Sequence, residues 1–230
     1  MIKIVNKLPV TAFNDALYTK ITSIYMSYGT NLRFCSFWAQ TNSDNNVTAI
    51  ICKFYSAVTV CALIDACVEE INKFLNIIGY SEIQSNIKLN DNYNEFDSVF
   101  LECSGNGNYD FSICYDKAYF CYKILNQYPD EIKLGSFDEW YVDISHRIRH
   151  NSAFIINEEN SSILCLIGQK GLLLSGIAVN SKGKGIGSNI IKQLCCLADN
   201  VLFAICSKDN LGFYLKLGFK PHEKIYYYKG

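Results

Sequence analysis

The most regular pattern of hydrophobic and polar positions lies in residues 172–200. Residues 172–179 are an apolar run of strand length, which is typical of a strand covered on both faces. A glycine-rich turn follows, and beyond it apolar side chains recur at the spacing of one helical face: Ile186, Ile190, Ile191, Leu194 and Leu197. The pattern therefore predicts a strand, a tight turn and an amphipathic helix in succession.

Shorter patterns organise the first half of the chain. A helix is predicted at 64–78, where apolar residues recur at helical spacing and Gly79 follows as a stop signal. Residues 47–62 are rich in β-branched residues and predict either one long strand or two, in a hairpin with a strand at 32–40. The remaining predictions are a helix at 15–28, strands at 81–87 and 98–103, and a polar loop at 90–97.

The second half places helices and strands around the central strand–turn–helix. Residues 104–108, Ser-Gly-Asn-Gly-Asn, are the best linker signal in the sequence and divide it into domains at 1–108 and 109–230. The pattern predicts helices at 109–125, 137–150 and 211–217, and strands at 153–157, 163–168, 201–206 and 223–229. A mixed α/β fold is expected.

The composition describes a globular chain whose halves carry opposite charge. Half of the 230 residues are hydrophobic and 19% are charged, which is typical of folded domains. The net charge of −1 argues against a nucleic-acid partner bound by bulk electrostatics. Residues 1–115 carry 7 basic and 11 acidic side chains, a net −4, and residues 116–230 carry 14 and 11, a net +3. The basic half contains the glycine-rich turn, which favours an anionic ligand there.

The cysteines favour a reducing compartment, and we expect a cytoplasmic protein. There are 11 cysteines, an odd number, and no Cys-x-x-Cys pair occurs. No metal is expected, because His146 and His150 are four residues apart but no third ligand pattern accompanies them. No apolar run approaches membrane-spanning length, so we expect no membrane partner and no signal peptide.

The glycine-rich turn has the features of a phosphate-binding site. Residues 182–187, Lys-Gly-Lys-Gly-Ile-Gly, present backbone N–H groups at the positive end of a helix, with few Cβ atoms in the way. A Walker loop is excluded because Gly185 follows Gly183-Lys184 where Ser or Thr is needed. A Rossmann fingerprint is excluded because the glycines are spaced G-x-G-x-G. A tight strand–helix connection without a ligand is the alternative interpretation.

Two motifs together resemble the GCN5-related N-acetyltransferase (GNAT) superfamily. The first is [Gln/Arg]-x-x-Gly-x-[Gly/Ala] after an apolar strand, and it corresponds here to residues 182–187. The second is Tyr-x-x-x-Gly-Phe on the helix after the next strand, and it corresponds to residues 214–219. The distance between the two motifs matches the family, and the resemblance covers residues 137–228.

Two positions depart from the family's pattern. Lys182 stands where Gln or Arg is usual, a mild change that keeps the cation and its reach. Ser207 stands seven positions before Tyr214, where the family has asparagine, although Asn210 is nearby.

The resemblance implies a GNAT fold in residues 109–230, with a twisted mixed sheet that is mostly antiparallel, and acetyl-CoA as co-substrate without a metal. In the family two strands splay apart to admit the pantetheine arm, which here would pair with the strand edge at Ile177, Ala178 and Val179. The pyrophosphate would bind at the turn. The implied cofactor-binding residues in and after the turn are Lys182, Gly183, Lys184, Gly185, Ile186, Gly187, Ser188 and Asn210.

The same resemblance assigns Tyr214 as the acid that protonates the leaving thiolate. The alternative for Tyr214 is a packing role beside Phe213 and Phe219. No motif identifies a general base for the acceptor amine. The titratable or nucleophilic residues expected near the acceptor side are Glu139, Asp143, His146, His150, Cys165 and Ser175.

The sequence leaves two hypotheses about function. The first is an N-acyltransferase that moves acetyl directly to an amine of an unidentified small-molecule or peptide acceptor, as a monomer or a homodimer. The second is a non-catalytic acyl-CoA-binding or regulatory module. Residues 1–108 contain no glycine-rich anion loop, so one cofactor site is expected. This half could be a degenerate GNAT-like domain in a tandem arrangement, and it would then shape the acceptor pocket or only stabilise the other half.

Overall fold

The computed structural model describes residues 1–9, 13–31, 33–105, 107–129, 132, 134–198 and 200–230. These residues form an 11-stranded sheet and six helices. The strands are β1 Ile2–Ile4, β2 Cys35–Thr41, β3 Val47–Phe54, β4 Ala57–Ala62, β5 Glu82–Ser85, β6 Asn94–Glu102, β7 Ala153–Glu158, β8 Ser161–Ile167, β9 Leu172–Val179, β10 Val201–Cys206 and β11 Lys220–Lys229. The helices are α1 Ala16–Tyr28, α2 Val68–Ile78, α3 Tyr115–Leu125, α4 Phe137–Arg149, α5 Ile186–Leu197 and α6 Lys208–Lys216.

The strands lie in the order β1-β2-β3-β4-β5-β11-β6-β10-β9-β8-β7. Two of the neighbouring pairs are parallel, β4 with β5 and β9 with β10, and the other eight are antiparallel. Each parallel pair is joined through a helix, α2 or α5, because parallel strands need a crossover connection. The predicted α+β fold with a mixed, mostly antiparallel sheet is confirmed.

The two halves of the chain repeat one succession of elements. β2, β3, β4, α2 and β5 follow the same order and pairing as β7, β8, β9, α5 and β10. Strand pairing also crosses the boundary predicted at 108–109, since β11 lies between β5 and β6, and β6 pairs with β10. The division into domains at 1–108 and 109–230 stays a prediction.

Helices cover both faces of the sheet. The alternation along β8 illustrates this: Leu164 and Leu166 belong to the core under α3 and α4, whereas Ile163 and Cys165 belong to the core under α5. In the first half of the chain α1 and α2 cover opposite faces in the same way. Apolar burial on both faces explains why the central strands are nearly continuous hydrophobic runs.

Helix α1 is more deeply buried than α2, the other helix of the N-terminal half. Asp15 caps it by accepting a hydrogen bond from Tyr18 N–H at 2.8 Å, and the four consecutive residues 16–19 are all buried. The helix packs on β2–β4, and Ser23 Oγ donates to Ser152 O at 2.9 Å in the other half of the chain. A helix buried around its circumference has no polar face, which is why its amphipathic pattern is weak.

Several strand boundaries differ from the predictions. Residues 47–62 form two strands, β3 and β4, with a turn at Tyr55. The strand predicted at 32–40 begins at Cys35, because Asn31 O closes a turn by accepting from Phe34 N–H and Cys35 N–H, both at 2.9 Å. Strand β6 begins at Asn94, inside the predicted loop, and β11 begins at Lys220 rather than residue 223. Both strands are longer than predicted because they pair with each other in antiparallel fashion.

Three helix predictions have a first residue that is wrong by three positions or more. α2 begins at Val68 rather than residue 64, and α6 spans Lys208–Lys216 rather than 211–217. α3 begins at Tyr115 rather than residue 109, because Asp110 forms a turn by accepting from Ser112 N–H at 2.8 Å. Helix α4 and strand β10 begin where the sequence predicts.

Gly105 and Gly107 of the predicted linker pack closely against the end of α5, and Asn106 between them lies outside the described residues. Gly105 N–H donates to Ala198 O at 3.0 Å. A Cβ atom at Gly105 would lie 1.9 Å from Cys196 O, and one at Gly107 would lie 1.9 Å from Leu197 O. These two glycines therefore permit a close backbone approach.

Two further expectations concern cysteines and membrane spans. All 11 cysteines are free thiols. No helix within the described ranges combines the length and the apolar character that crossing a membrane requires.

Candidate functional site

Strands β9 and β10 separate in the middle of the C-terminal half. Their parallel pairing ends at Leu174–Ala204. Beyond that pair, residues 176–179 pair with β8, and Ile205 and Cys206 pair with β6. Among the described strands, none pairs with the edge of β9 that faces away from β8 at residues 176–179. An extended chain can therefore add to this edge by backbone hydrogen bonds.

A β-bulge lies where the two strands separate. Cys165 of β8 stands opposite Leu174, and Leu164 stands opposite Gly176, so Ser175 is an extra residue in β9. Ser175 is exposed, whereas Leu174 and Gly176 on either side of it are buried. The bulge interrupts the β9 ladder at the point where β10 leaves it.

The glycine-rich turn has a backbone conformation that favours glycine. Gly183 and Gly185 have φ values of +82° and +75°, in the left-handed region where other residues are strained. Gly185 is the N-cap of α5 and offers no side-chain hydrogen bond. A Cβ atom at either glycine would have no neighbour within 4 Å among the described residues, so the turn is open to solvent.

The first turn of α5 presents backbone donors without a negative charge. Asn189 N–H makes the first intrahelical bond, to Gly185 O at 3.0 Å. The N–H groups of Ile186, Gly187 and Ser188 precede it and have no acceptor within the helix. No acidic residue lies in this turn. The donors and the helix dipole together favour an anion at this helix end.

The turn is connected through Tyr128 to the segment that follows α3. The Tyr128 hydroxyl donates to Val179 O at 2.7 Å, and Lys182 Nζ lies 4.6 Å from the centre of the Tyr128 ring. The same side chain thus contacts the last residue of β9 and the first residue of the predicted motif. Lys184 is exposed on the open side of the turn.

Helix α6 packs beside the turn. A Cβ atom at Gly187 would lie 3.4 Å from Phe213 Cζ and 3.7 Å from Val179 Cγ1, so the start of α5, the end of β9 and α6 meet there. The Tyr214 ring is 7% exposed, with its centre 5.2 Å from those of Phe213 and Phe219 in edge-to-face contacts. The tyrosine predicted as the acid therefore also packs in the core that α5 and α6 cover.

The structure brings the predicted cofactor residues to one region of the molecule. Residues 177–179 and 182–188 lie at adjoining ends of β9 and α5. Asn210 is half-buried in the first turn of α6, where its N–H donates to Ser207 O at 3.1 Å. Ser207, which departs from the family's asparagine, is the N-cap of α6 and makes no side-chain cap bond.

The N-terminal counterpart of this site is closed. The pairing of β4 with β5 reaches Ser85, and the Asn86 side chain then continues it. Ala62 N–H donates to Asn86 Oδ1 at 2.8 Å, and Asn86 Nδ2 donates to Ala62 O at 3.0 Å. Helix α2 carries Glu69 and Glu70 in its first turn, and their charges disfavour an anion.

The residues expected near the acceptor side are mostly engaged elsewhere. Arg147 Nε donates to both oxygens of Asp143, at 2.9 Å and 3.0 Å. His146 Nε2 lies 2.8 Å from Ser27 O and its ring packs on Tyr28. The Cys165 thiol is fully buried, and burial raises its pKa above the usual value.

Two more of these candidates are at the surface. Glu139 is exposed at the start of α4, where it accepts from Ser136 Oγ at 2.9 Å. His150 is exposed beside His146. Among the described residues no group of three or more His, Cys, Asp and Glu side chains is arranged to hold a metal ion.

The sequence analysis missed one polar group in the interior, Glu223 of β11. Its side chain lies near Asp15 and accepts from Asn86 Nδ2 at 3.2 Å. The available signal was an acidic residue in a strand of aromatic residues, shortly after Pro221. Asp15 and Glu223 are far apart in sequence, so no local pattern joins them.

Comparison with known proteins supports the fold. No protein-family model matches the sequence, and no curated protein matches it. Solved structures do match. A GCN5-related N-acetyltransferase from Sphaerobacter thermophilus is similar over 98% of this chain and 95% of its own, with a TM-score of 0.50 and 9% identity. A tandem GNAT protein from the clavulanic acid biosynthesis pathway, solved without AcCoA, is similar over 100% of this chain and 98% of its own, with a TM-score of 0.51 and 7% identity. The chain therefore has a GNAT-like α+β fold that resembles a tandem GNAT protein along its whole length.

Proposed function

We propose that the protein is an acyl-CoA-dependent N-acyltransferase that transfers acetyl from acetyl-CoA directly to an amine. The observation that carries this proposal is the adjacency of two features, the unpaired edge of β9 and the open N-terminus of α5. A chain of amides fits the first feature and a pyrophosphate fits the second. Coenzyme A joins both chemical groups in one molecule.

In this proposal the pantetheine arm pairs with β9 at Ile177, Ala178 and Val179. The pyrophosphate accepts from the free N–H groups at the start of α5. The exposed side chain of Lys184 and the nearby Lys182 add positive charge. The residues proposed to bind the pyrophosphate and its surroundings are Lys182, Gly183, Lys184, Gly185, Ile186, Gly187 and Ser188, with Asn210 on α6.

Tyr214 is proposed as the acid for the leaving thiolate. A phenol is protonated at neutral pH and can give its proton to a thiolate that departs beside it. Helix α6, which carries Tyr214, contacts the start of α5 through Phe213. In this proposal Tyr214 lies on the side of β9 where the cofactor binds.

The proposal also includes the acceptor, the oligomeric state and the cellular compartment. The acceptor is a small-molecule or peptide amine, and the protein acts as a monomer or a homodimer in the cytoplasm, without nucleic acid or membrane. The net charge of −1 and the free state of all 11 cysteines support this choice.

The first experiment is a thermal-shift titration with acetyl-CoA, desulfo-CoA and longer acyl-CoAs. A ligand at 100 times its Kd stabilises the folded state by about 2.7 kcal/mol, which raises Tm by about 5–10 °C for a chain of this size. If Tm stays unchanged with every one of these ligands, the proposal is contradicted.

A second candidate function is a non-catalytic acyl-CoA-binding or regulatory module. The burial of Tyr214 between two phenylalanines favours it, because a tyrosine so placed contributes to packing whether or not it transfers a proton. Tyr214→Phe distinguishes the two. For an enzyme, kcat should fall about 100-fold or more while acyl-CoA binding changes little. The control is Tyr122→Phe, which loses one hydrogen bond to Gly135 O at the surface. Equal kcat in Tyr214→Phe and wild type would remove the acid role, and binding without transfer to any amine would favour the module.

A further inference from the structure

A second β-bulge lies in the central strands, on β11. The register of β11 against β6 shifts between Pro221 and Lys224. As a result two residues, His222 and Glu223, stand opposite the single residue Ser98 of β6. The ladder is interrupted there, and polar side chains replace it.

This bulge lies at the level where β9 and β10 separate. Ser98 pairs with Ile205 of β10, and Ile205 is the first residue beyond the last pair between β10 and β9, at Ala204. β11 and β10 are two strand spacings apart, about 10 Å. A glutamate side chain together with a small acceptor or one bridging water spans that distance.

The bulge faces the side of the sheet that α1 covers. Phe96 and Phe100 flank Ser98 at the spacing of one strand face, and they pack against the cores formed by α1 and by α3 and α4. Helices α5 and α6 lie on the other face. A donor held at the start of α5 and an acceptor held at the bulge would therefore approach β9 and β10 from opposite faces.

The polar atoms at the bulge are not all satisfied. Ser98 is 1% exposed, and its Oγ has no hydrogen-bond partner among the described residues. Glu223 Oε2 accepts from Asn86 Nδ2 at 3.2 Å, but Glu223 Oε1 is buried and equally without a partner in the described ranges. A buried polar atom without a hydrogen-bond partner destabilises the folded state. These two atoms therefore mark a place where a ligand could donate a hydrogen bond.

The bulge also lacks a positive charge. Asp15 faces Glu223 from the N-terminus of α1, with its Oδ1 accepting from Tyr18 N–H at 2.8 Å and its Oδ2 from Cys61 Sγ at 3.0 Å. None of the ion pairs among the described residues includes Asp15 or Glu223. Burial first, and then the charge of Asp15, raise the pKa of Glu223 to about 8.

Three other groups lie near Glu223. They are Cys61 from β4, whose thiol has a pKa raised well above its usual value by burial and by Asp15, the neutral amide of Asn86, and the exposed ring of His222 beside it on β11. Two carboxyl groups with no counter-charge attract a proton or a cation. The side chain of Glu223 is half-buried, so part of it borders solvent.

We propose that Ser98, Glu223 and Asp15 form the site that holds the ammonium group of the acceptor, and that Glu223 takes its proton. This inference rests on the proposed function. The ammonium gives one proton to the Glu223 carboxylate, and the freed lone pair forms the C–N bond with the thioester carbon. The C–S bond then breaks, and the thiolate takes the second proton that the nitrogen loses, relayed by Tyr214. Glu223 returns its proton to solvent, and the acetylated amine no longer carries the charge that held it.

The test follows the Glu223 carboxyl group in the wild-type protein by ¹³C NMR with labelled glutamate, titrated with n-butylamine. The signal is assigned by its loss in Glu223→Gln and its persistence in Glu102→Gln, an exposed carboxyl on β6. The titration extends tenfold beyond a Kd of about 1 mM, which covers weak binding. We expect the amine to lower the pKa of Glu223 by about one unit or more, because a cation favours the ionised form. The uncharged n-butanol should have no effect.

An unchanged Glu223 titration in saturating n-butylamine, or an equal response to n-butanol, would overturn the proposal. Ser98→Ala keeps both carboxyl groups and should weaken amine binding about fivefold, since a neutral hydrogen bond is lost. An unchanged affinity in that variant would overturn the assignment of Ser98. If transfer is observed, Glu223→Gln should lower kcat/KM about 100-fold and remove its rise with pH near 8.

The acetyl-CoA thermal shift on the same samples separates this inference from the proposed function. A thermal shift without an amine response overturns the ammonium site and leaves the cofactor site standing. An amine response without a thermal shift supports the ammonium site and overturns the proposed donor.

Discussion

Replacing Glu223 with glutamine should make stability less dependent on pH. Burial, and then Asp15, raise the pKa of Glu223 from 4.5 to about 8 in the folded protein. The folded state therefore binds this proton more tightly than the unfolded chain does. The stabilisation that comes from the proton on Glu223 is complete below about pH 4.5 and is lost as the pH rises through about 8. Glutamine is uncharged throughout and loses nothing over this window.

The size of the effect follows from the shift. A change from 4.5 to about 8 corresponds to about 5 kcal/mol for a carboxyl group wholly removed from water, at about 1.4 kcal/mol per unit. Partial exposure and local rearrangement reduce the penalty, and we expect about 2–3 kcal/mol. This is large against a total stability of about 5–15 kcal/mol for an ordinary domain.

The assay is urea unfolding at about pH 5 and at about pH 9, on either side of the transition. The free energy of unfolding of wild type should fall by about 2–3 kcal/mol relative to Glu223→Gln between these values. Glu102→Gln is the matched control, because its carboxyl is 73% exposed and lies 3.8 Å from Lys220 Nζ. It should follow wild type. A difference between wild type and Glu223→Gln that stays constant within about 0.5 kcal/mol would refute the reasoning.

The other predictions concern the glycines, the turn and the closed N-terminal counterpart. Gly105→Ala should destabilise by about 2–4 kcal/mol in urea unfolding, since its Cβ would lie 1.9 Å from a backbone oxygen. Gly212→Ala in α6, with no atom within 4 Å of the new Cβ, should instead stabilise by about 0.5–1 kcal/mol; equal effects would contradict the packing described. Lys184→Glu should weaken acyl-CoA binding about tenfold at low salt and less at high salt, measured by calorimetry against Lys192→Glu, which is exposed later in α5; equal losses would argue against the turn as the phosphate site. Asn86→Ala leaves backbone groups of β4 unpaired and should destabilise by about 1–3 kcal/mol; it should also raise the pKa of Glu223 further, because the Asn86 hydrogen bond lowers it, and a lower pKa in the NMR titration would contradict this.

The central strand, turn and helix could be predicted from sequence because their causes are local. An apolar run of eight residues makes β9, and helical spacing of apolar residues makes α5. The positive φ values of Gly183 and Gly185 are conformations that glycine adopts without strain. The first GNAT-like motif, residues 182–187, lies on this stretch, and the second, residues 214–219, lies on α6 and the residues that follow it. Each motif is local, so the resemblance could be read from the residues alone.

Predictions failed where neighbouring residues compete with periodicity. The Asp110 side chain and the Asn31 carbonyl accept hydrogen bonds that close turns. As a result α3 and β2 begin later than predicted. Helix α1 shows little periodicity because it is buried on all sides between the two halves. Local pattern reports which side of an element meets water, and it loses information when no side does.

The sequence by itself determined the apolar strands, the glycine turn and the charge contrast between the two halves of the chain. Only the tertiary structure decided that β11 pairs between β5 and β6, that β9 leaves β10 at Leu174, and that Glu223 meets Asp15 from 208 positions away. The physical reason is that strand register and the pairing of distant charges depend on how the elements pack together. Local conformation can be read from neighbouring residues, but the proposed acceptor site is formed by segments that meet only in the folded sheet.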